Sequence, residues 1–464
     1  MAGATLVLPP EISRLVNDAL GEDLETAGVL LVGEGTGPHG AVRLLARELH
    51  LVPEQSYEKR ERDQLVITSE GYVPALARAQ EIGATALWFH THPGAHASPQ
   101  PSARDRRVDE QITDLFRLRS ASERYGAVIF AREPAGGLAF SGHFGTASET
   151  MPIARLWEVG RRLRLSHATD QLTATQPIDE MFDRNVRALG GAVQQVLASL
   201  SIAVVGCGGT GSAVAEQLVR LGVRSLTLID PDHLSESNLT RVYGSTPQHV
   251  GQNKAAVLGE HLTRIAPEAK IRTIVGTING EPVARELIEN DVVFGCTDDN
   301  AGRLVLSRYA SYFLTPVIDC GVLLSSDEHD LLTGIDGRVT ILTPGDACLV
   351  CRDRIDLARA QAEVLPVDER ARLQREGYAA ALPGVEPAVV SFTTAIAAVA
   401  TSELLERLLG YGPEPAPSEI LARFHEREIS SNSATPRKGH YCDPQAGKLG
   451  RGETEPFLEQ TWAS

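Results

Sequence analysis

A glycine-rich turn between a short apolar run and a helical pattern constrains the fold of this chain most. Residues 200–205 (Leu-Ser-Ile-Ala-Val-Val) are typical of a buried strand, and Gly206, Gly208, Gly209 and Gly211 form the turn that follows. A strand, a tight glycine turn and a helix N-terminus present backbone N–H groups and a positive dipole end to phosphate. The segment therefore predicts a nucleotide-binding α/β unit of the Rossmann type.

The next strand ends on an acidic residue. Residues 225–229 (Ser-Leu-Thr-Leu-Ile) lead into Asp230, nineteen residues past Gly211. A ribose-binding carboxylate occupies this position in Rossmann units. Taken alone, these elements would fit a dinucleotide dehydrogenase as well as any other nucleotide enzyme.

Polar residues further along the chain favour a different class. Asn238 and Arg241 follow the second strand, Lys254 lies thirteen residues past the arginine, and Asp298 comes later in Cys-Thr-Asp-Asp-Asn. Together these elements resemble the E1 superfamily of ubiquitin-activating enzymes, which includes its bacterial ThiF-like and MoeB-like members that activate sulfur carriers. The resemblance extends over about residues 182–409.

This resemblance implies an ATP-dependent adenylation. Asn238, Arg241 and Lys254 would engage the triphosphate, Asp298 would hold Mg2+, and the C-terminal carboxylate of a ubiquitin-like or sulfur-carrier protein would attack the α-phosphate. Arg184 matches an arginine that, in the family, reaches the ATP of the opposite subunit, and so implies a homodimer. The alternative for Arg184 is a surface helix residue.

Two features depart from the E1 pattern. Val242 stands where a glutamine often follows the family arginine, and the crossover stretch 377–387 lacks the cysteine that usually forms a thioester. Either another residue accepts the acyl group, a hydroxyl or Cys351, or the adenylate passes directly to a partner.

A second constellation lies near the start of the chain. His90 and His92 end an apolar strand, so their side chains project to the same side, while Ser102 and Asp105 fit the N-cap and first turn of a helix. A helix cap beside two ordinary histidines would explain these residues. Two imidazoles and one carboxylate would equally form a three-ligand zinc site with an open fourth position, as in catalytic sites.

The same segment resembles the JAMM (MPN+) metalloisopeptidases. That resemblance implies that His90, His92 and Asp105 bind Zn2+, that Glu25 is the general base, and that Ser102 stabilises the oxyanion. The stretch between His92 and Ser102 is longer than usual in the family, and His96 within it is interpreted as an exposed polar residue.

The cysteines suggest a second metal site. Cys348 and Cys351 form a C-x-x-C pair that resembles half of the structural zinc site of E1 relatives, and Cys442 with His440 could complete it if the tail folds back. A redox or thioester role for Cys351 is the alternative. The other three are interpreted as packed small residues: Cys207, Cys296 and Cys320.

Composition limits the remaining choices. A formal charge of -16 argues against nucleic-acid and anionic-membrane binding, and six cysteines in 464 residues indicate a reducing, cytoplasmic compartment. No signal peptide or membrane span is recognised.

The predicted fold is α/β: a JAB/MPN (cytidine-deaminase-like) domain at 1–148, a linker at 149–178, and a Rossmann-like E1 domain with a zinc-type tail at 179–464. Residues 153–165 could alternatively be a terminal helix of the first unit.

The two constellations together favour a fused enzyme of a bacterial ubiquitin-like conjugation pathway, in which an E2-like protein would be a further partner. An alternative is the trimming and activation of a sulfur carrier for cofactor or natural-product synthesis. A non-enzymatic module that binds a ubiquitin-like fold is the third, least favoured, hypothesis.

Overall fold

The chain divides into two compact units. In this computed structural model the described residues are 3–462 except 63, 135, 169–178, 328, 330, 367–368, 370–371 and 373–387. The first unit comprises Met1–Thr175 with the short segments Tyr312–Leu314 and Leu449–Thr454, and the second comprises the rest.

The first unit is a mixed α/β fold. Its strands are β1 (Ala4–Leu8), β2 (Ala27–Thr36), β3 (Val42–Leu51), β4 (Tyr57–Arg60), β5 (Leu65–Ile67), β6 (Thr85–Ala95), β7 (Tyr125–Arg132), β8 (Leu138–Gly145), β9 (Thr150–Glu158) and β10 (Arg164–His167). Its helices are α1 (Pro10–Ala19), α2 (Val73–Ile82) and α3 (Ala103–Ser120), with 3-10 turns at Glu54–Ser56 and Ser69–Gly71.

Its main sheet has the order β1-β3-β2-β6-β7-β8-β9-β10, and β1 also pairs with β9, so the sheet curls back on itself. Alternate side chains of the strands enter two separate cores. One core packs against α1 and includes Leu30 and Phe89, whereas the other packs against α2 and α3 and includes Val29 and Trp88. Helices therefore cover both faces of β2 and β6.

The first unit continues into the segment predicted to be a linker. Residues 149–168 contain β9, which pairs with β1 and β8, and β10, which pairs with β9. Leu156 lies in β9, whereas Val159 and Leu163 lie between β9 and β10. Their helix-like spacing in the sequence therefore does not correspond to a helix. The boundary at residue 148 and the alternative helix at 153–165 are thus wrong. The rest of the predicted linker, 169–178, lies outside the described residues.

The second unit begins with paired short helices and continues as a βα alternation. Its strands are β11 (Ser201–Val205), β12 (Ser225–Ile229), β13 (Lys270–Ile274), β14 (Val292–Gly295), β15 (Val317–Ser326), β16 (Leu332–Leu342), β17 (Glu419–Arg423) and β18 (Glu428–Asn432). Its helices are α4 (Asp183–Leu189), α5 (Gly191–Ser199), α6 (Gly209–Leu221), α7 (Lys254–Ile265), α8 (Glu281–Arg285), α9 (Asn300–Tyr312), α10 (Leu357–Glu363) and α11 (Val390–Leu409). Single 3-10 turns lie at Glu180–Phe182, Glu236–Asn238, Pro247–His249, Glu286–Glu289, Pro444–Ala446 and Phe457–Glu459.

The sheet of this unit has the order β13-β12-β11-β14-β15-β16-β17-β18. The first five of these strands are parallel, and β16, β17 and β18 extend the sheet in antiparallel fashion. The strand order reverses between β11 and β14. In doubly wound sheets a ligand binds in the crevice at the carboxyl ends of the strands at such a point. The predicted Rossmann-like arrangement is confirmed for this unit.

The longest of the described helices of the second unit is α11, which has 20 residues. In the described part of the chain, no helix combines the length and the apolar character needed to cross a membrane. The crossover stretch 377–387, which precedes α11, lies outside the described residues.

Candidate functional site

Three potential metal ligands converge in the first unit. β6 places His90 and His92 on one side of the sheet, with ring centroids 5.2 Å apart. Asp105, in the first turn of α3, lies between them: its Oδ1 is 3.7 Å from Nε2 of His90, and its Oδ2 is 3.7 Å from Nε2 of His92. One ligand atom from each residue lies within 4.8 Å of the others. The three residues predicted from the sequence are therefore brought together.

The start of α3 fixes the carboxylate of this cluster. The backbone N–H of Ser102 donates to Asp105 Oδ2 (2.7 Å), and the backbone N–H of Asp105 donates to Ser102 Oγ (3.1 Å). This reciprocal pair is a capping box. Burial raises the pKa of Asp105, but the two histidines and the Ser102 N–H lower it further, so its pKa lies well below the usual range. The carboxylate is thus held ionised and oriented.

The environment of His90 fits a metal better than a structural histidine. The ring is 4% exposed, and within the described residues neither of its nitrogens has a hydrogen-bond partner. A buried polar atom without a partner costs about 1–3 kcal/mol, which a bound metal would offset. His96 is exposed and lies outside the group of ligand atoms, as predicted.

The backbone beside Glu25 is joined to β6 at the residue between the two histidines. The N–H of Thr26 donates to Thr91 Oγ1 (3.0 Å), and the N–H of Thr91 donates to the Thr26 carbonyl (2.9 Å), so the residue between the two histidines holds the chain next to Glu25. Arg60 donates to the Glu25 carbonyl (3.0 Å) and to Thr26 Oγ1 (2.8 Å). Glu25 itself is 7% exposed. The sequence did not single out Thr91 or Arg60. Strand alternation predicts that the Thr91 side chain lies on the face opposite to the two histidine side chains.

In the second unit, the glycine loop follows β11 at the strand-order reversal. Gly206 has a φ of 90°, and a Cβ there would lie 2.6 Å from the Cys296 carbonyl at the end of β14. A Cβ on Gly211 would overlap the carbonyl oxygen of Gly206. By contrast, a Cβ on Gly208 would meet nothing within 4 Å. Among the described residues no side chain caps α6, which starts at Gly209. The loop thus leaves open space before an uncapped helix N-terminus, as phosphate binding requires.

Asp230 ends β12 beside this loop. Its Oδ2 accepts the N–H of Cys207 (2.6 Å) and its Oδ1 accepts the N–H of Asp232 (2.8 Å). Burial raises the pKa of this carboxyl despite those two hydrogen bonds. Each oxygen keeps a second lone pair, so a ribose hydroxyl could still donate to Asp230. Cys207 is fully buried, in agreement with its interpretation as a packed residue.

Asn238 ends the 3-10 turn Glu236–Asn238, Arg241 follows it, and a small apolar cluster packs next to them. Asn238 Oδ1 accepts the Ser235 N–H (3.1 Å), and Arg241 donates from Nη1 to the Ser237 carbonyl (2.9 Å). A Cβ on Gly209 would lie 3.3 Å from Arg241 Cδ, so Arg241 lies at the glycine loop. Val242 is 5% exposed and packs in a small cluster with Leu234 and Val257. The residue that departs from the family pattern therefore packs beneath the turn.

Lys254 is held by a residue to which the sequence assigned no role. Its Nζ donates to Asp232 Oδ2 (2.8 Å), and only 14% of its side chain is exposed. Asn253, the N-cap of α7, donates to the carbonyls of Asp230 and Asp232 (both 2.9 Å). The loop after β12 is thus fixed to the helix that carries Lys254. An asparagine directly before a helical pattern is a common N-cap, and that signal could have identified Asn253.

Asp298 and Arg184 are both exposed. Asp298 lies between β14 and α9, on the same edge of the sheet as the glycine loop. Its neighbour Asp299 is engaged instead in fixing the start of α9, where it accepts the Gly302 N–H (2.7 Å) and the Asn279 amide (2.8 Å). Arg184 lies in the first turn of α4, which fits both interpretations given for it.

The four residues of the predicted cysteine and histidine site are also brought together. Cys348 Sγ is 3.4 Å from His440 Nδ1, which is 3.3 Å from Cys442 Sγ, and Cys442 Sγ is 3.6 Å from Cys351 Sγ. Tetrahedral Zn2+ would set S···S and S···N distances of about 3.8 and about 3.6 Å, from bond lengths near 2.3 and 2.0–2.1 Å. A hydrogen bond from the Cys442 thiol lowers the pKa of Cys348 to about 4. The four residues therefore fit a tetrahedral metal site.

The C-x-x-C segment is anchored by one buried carboxylate. Glu419 on β17 is 1% exposed and accepts two hydrogen bonds from Arg354 (3.1 and 3.0 Å) and one from Asn432 (2.9 Å). Arg352 Nη1 lies 3.7 Å from the same carboxylate. Burial raises the pKa of Glu419, but these partners lower it further, so the pKa is below its ordinary value. The segment after Cys351 is thus fixed to the sheet.

Several known proteins are similar in sequence to part of this chain. The molybdopterin-synthase adenylyltransferase of Escherichia coli (strain K12) is 28% identical over 247 residues, or 52% of this chain and 87% of that protein. The ATP-dependent ubiquitin transferase-like protein Cap2 of Enterobacter hormaechei subsp. hoffmannii (strain UCI 50) is 35% identical over 148 residues, or 30% of this chain and 24% of that protein.

The sulfur carrier protein ThiS adenylyltransferase of Escherichia coli (strain K12) is 28% identical over 151 residues, or 32% of this chain and 56% of that protein. The chain thus spans most of the first relative, but only a quarter and about half of the other two. The sequence model of the ThiF family matches residues 182–443, more than half of the chain. The chain therefore belongs to the ThiF family of E1-like adenylyltransferases.

Proposed function

We propose that the second unit adenylates the C-terminal glycine of a ubiquitin-like or sulfur-carrier protein with ATP. The observation that carries this proposal is the arrangement at the strand-order reversal. The glycine loop, Arg241, Lys254 and Asp298 lie along the carboxyl edge of the parallel strands. Two of the relatives described above are named adenylyltransferases, one of molybdopterin synthase and one of the sulfur carrier protein ThiS, and the third is named an ATP-dependent ubiquitin transferase-like protein.

The reaction joins a carboxylate oxygen of the glycine to the α-phosphorus of ATP and breaks the bond to the β-phosphate, so that pyrophosphate leaves. The N–H groups of the glycine loop bind phosphate oxygens, Arg241 and Lys254 neutralise their charge, and Asp230 accepts the ribose hydroxyls. Asp298 would hold Mg2+, which supplies positive charge to the departing pyrophosphate. Asn238 completes the triphosphate contacts, and Arg184 of a second copy contributes in a homodimer.

Lys254 is proposed to bind the triphosphate from a position beside Asp232, with which it pairs at 2.8 Å. A triphosphate carries more negative charge than one exposed carboxylate, so we expect the phosphates to compete with Asp232 for the lysine. The test is exchange of radiolabelled pyrophosphate into ATP in the presence of a small partner that ends in glycine.

We expect Lys254→Ala and Asp298→Ala to lower this exchange by about 10²-fold, because each removes charge stabilisation of the transition state. The matched control is Lys270→Ala, which removes an exposed lysine from β13 and should leave exchange unchanged. Unchanged exchange in both Lys254→Ala and Asp298→Ala would contradict the proposed roles.

The first unit is proposed to hydrolyse a bond at the same C-terminus, either in a precursor or in an isopeptide or ester conjugate. The support is the buried His90, whose ring nitrogens have no hydrogen-bond partner among the described residues, beside His92 and a carboxylate fixed by a capping box. His90, His92 and Asp105 would hold Zn2+, which when bound polarises a carbonyl and acidifies a water molecule. This assignment gives the unit a JAMM (MPN+) isopeptidase activity and a JAB/MPN fold.

The protein groups divide the remaining work in the hydrolysis. Glu25 would take a proton from the attacking water and return it to the leaving amine, or to the leaving alcohol of an ester. Ser102 uses its oxygen to accept the Asp105 N–H, so its hydroxyl proton remains to donate to the oxyanion. Cleavage of a C-terminally extended partner, followed by mass spectrometry, tests the activity. Retention of cleavage after His90→Ala would contradict it.

The second cluster is proposed to hold a structural Zn2+. Its four ligands, Cys348, Cys351, His440 and Cys442, leave no coordination position open, as is typical of structural sites. This role competes with a thioester at Cys351, because a thiolate that binds Zn2+ is not a free nucleophile. The acyl group therefore passes to a hydroxyl or directly to a partner protein.

Two outcomes for the activated carrier are open to a direct experiment. In conjugation an E2-like protein receives the carrier, and in sulfur transfer a thiocarboxylate forms for cofactor or natural-product synthesis. The match to Cap2, named a ubiquitin transferase-like protein, favours the first outcome, whereas the match to the sulfur carrier protein ThiS adenylyltransferase favours the second. Trapping of a covalent adduct and its lability to thiol or to hydroxide would separate thioester, oxyester and direct transfer.

A further inference from the structure

Arginines that form no ion pair with any described residue flank the metal-ligand segment of the first unit on two sides. Nη2 of Arg62 lies 3.9 Å from the position of a Cβ on Gly94, two residues past His92. Nη1 of Arg106 donates to the Pro101 carbonyl (2.7 Å). Pro101 directly precedes Ser102, whose N–H binds the Asp105 carboxylate. Two guanidinium groups from separate elements thus lie on the loop that joins the histidines to the aspartate.

The helix that supplies Asp105 carries more positive charge at the same end. Arg104, Arg106 and Arg107 occupy its first two turns and are exposed. The N-terminus of a helix carries a partial positive charge, so basic residues there are unfavourable by a few tenths of a kcal/mol or more each. The stability of α3 therefore does not account for this placement.

These arginines also lack counter-charges. Within the described part of the first unit no carboxylate forms an ion pair with Arg62, Arg104 or Arg106, although the chain has 60 acidic and 44 basic residues. Other arginines of the same unit do form ion pairs, for example Arg60 with Glu54 (2.8 Å) and Arg78 with Glu48 (2.8 Å). In a protein of net charge -16, three exposed arginines without an ion pair among the described residues, beside one ligand cluster, are suited to bind a negatively charged ligand.

We propose that Arg62, Arg104 and Arg106 form a basic rim that binds an acidic segment of polypeptide beside the bond presented to His90, His92 and Asp105. This inference rests on the proposed hydrolase and assigns its substrate class: chains with carboxylates within a few residues of the scissile bond. The three arginines are exposed and can each pair with a carboxylate. A nucleic acid would extend past this small rim onto a chain of net charge -16 and be repelled there.

The test compares two fluorescein-labelled peptides with a central Gly-Gly, flanked on both sides by four glutamates or by four glutamines. Binding to the zinc-loaded full chain is measured by anisotropy at low and high salt, and cleavage by mass spectrometry. We expect the glutamate peptide to bind about tenfold more tightly at low salt, with the advantage reduced at high salt because screening weakens exposed charge pairs.

The triple variant Arg62→Gln, Arg104→Gln, Arg106→Gln should remove the preference and leave binding of the glutamine peptide unchanged. The control is Arg119→Gln, one substitution of the same type at the other end of α3, about 20 Å away at 1.5 Å per residue. Equal binding of the two peptides, a preference that survives the triple variant, or stronger competition by single-stranded DNA than by the glutamate peptide would overturn the inference. A preference without any cleavage would support the rim and contradict the proposed hydrolase.

Discussion

The two clusters of metal-type ligands differ in number, chemistry and anchoring. The first unit offers two histidines and a carboxylate, His90, His92 and Asp105, whereas the second offers Cys348, Cys351, His440 and Cys442. Three mixed nitrogen and oxygen ligands leave a tetrahedral position free for a reactant. Three sulfurs and one nitrogen fill all four positions. The same kind of metal would therefore act on a substrate in one unit and hold the chain in the other.

The surroundings of the clusters support this difference. Around the first cluster, the capping box at Ser102 orients a single carboxylate, and Glu25 is held nearby by Thr26 and Thr91. Around the second, a buried carboxylate fixes two arginines that follow Cys351. A catalytic metal site needs each ligand to be oriented for the reaction. A structural metal site needs the segments that carry its ligands to be held in place.

The largest expected effect is a difference in protein stability between variants of the two clusters. Cys442→Ala should destabilise the second unit by several kcal/mol, because metal binding by such sites contributes directly to folding free energy, about 10–16 kcal/mol in zinc-finger peptides. His92→Ala should lower bound zinc by one equivalent with little change in thermal stability. Calorimetry and metal analysis of both variants measure this. Similar losses of stability in both would remove the distinction.

If the first cluster is catalytic, replacing its general base should slow cleavage strongly without destabilising the fold. Glu25→Gln should lower cleavage of an extended partner by about 10²–10⁴-fold, the usual range for loss of a general base, while bound zinc and thermal stability stay as in the parent chain. Steady-state kinetics and metal analysis provide the measurement. Normal cleavage in this variant would show that Glu25 is not the base.

The anchor of the second cluster should depend on pH. Glu419→Gln removes a buried charge from Arg354 and Arg352, so we expect a loss of about 2 kcal/mol at pH 7. Because the pKa of Glu419 is lowered in the folded chain, its contribution is present above the ordinary glutamate pKa and lost as the pH falls through the lowered value. Denaturant unfolding should therefore show the gap between parent and variant closing in acid. The exposed Glu428→Gln on β18 serves as the control.

The smallest effect concerns the capping box of the first cluster. Ser102→Ala removes one hydrogen bond from the start of α3 and should cost about 1 kcal/mol of stability. Because the Ser102 N–H still holds Asp105 Oδ2, zinc affinity should fall by no more than about tenfold. Ser102→Thr keeps the cap and should restore both quantities, as measured by thermal unfolding and zinc competition.

Sequence patterns succeeded where local geometry decides the structure. The turn from β11 into α6 follows from apolar residues and glycines, and the histidines of β6 share a face because strand side chains alternate. They failed at β9 and β10, where pairing with β1 and β8 decided the structure. They also missed the pairing of Lys254 with Asp232, because a side-chain partner 22 residues away leaves no local pattern.

The sequence by itself determined the type of each ligand, the glycine turn and the class of nucleotide unit, since these depend on residue chemistry and on spacing along one element. Only the tertiary structure decided that Cys348 and Cys351 meet His440 and Cys442, residues about 90 positions later, and that Asp105 lies between His90 and His92. Such contacts depend on how separate elements pack, which the free energy of the whole unit sets. The basic rim beside the first cluster was likewise visible only once the loop carrying Arg62 and the start of α3 were placed in space.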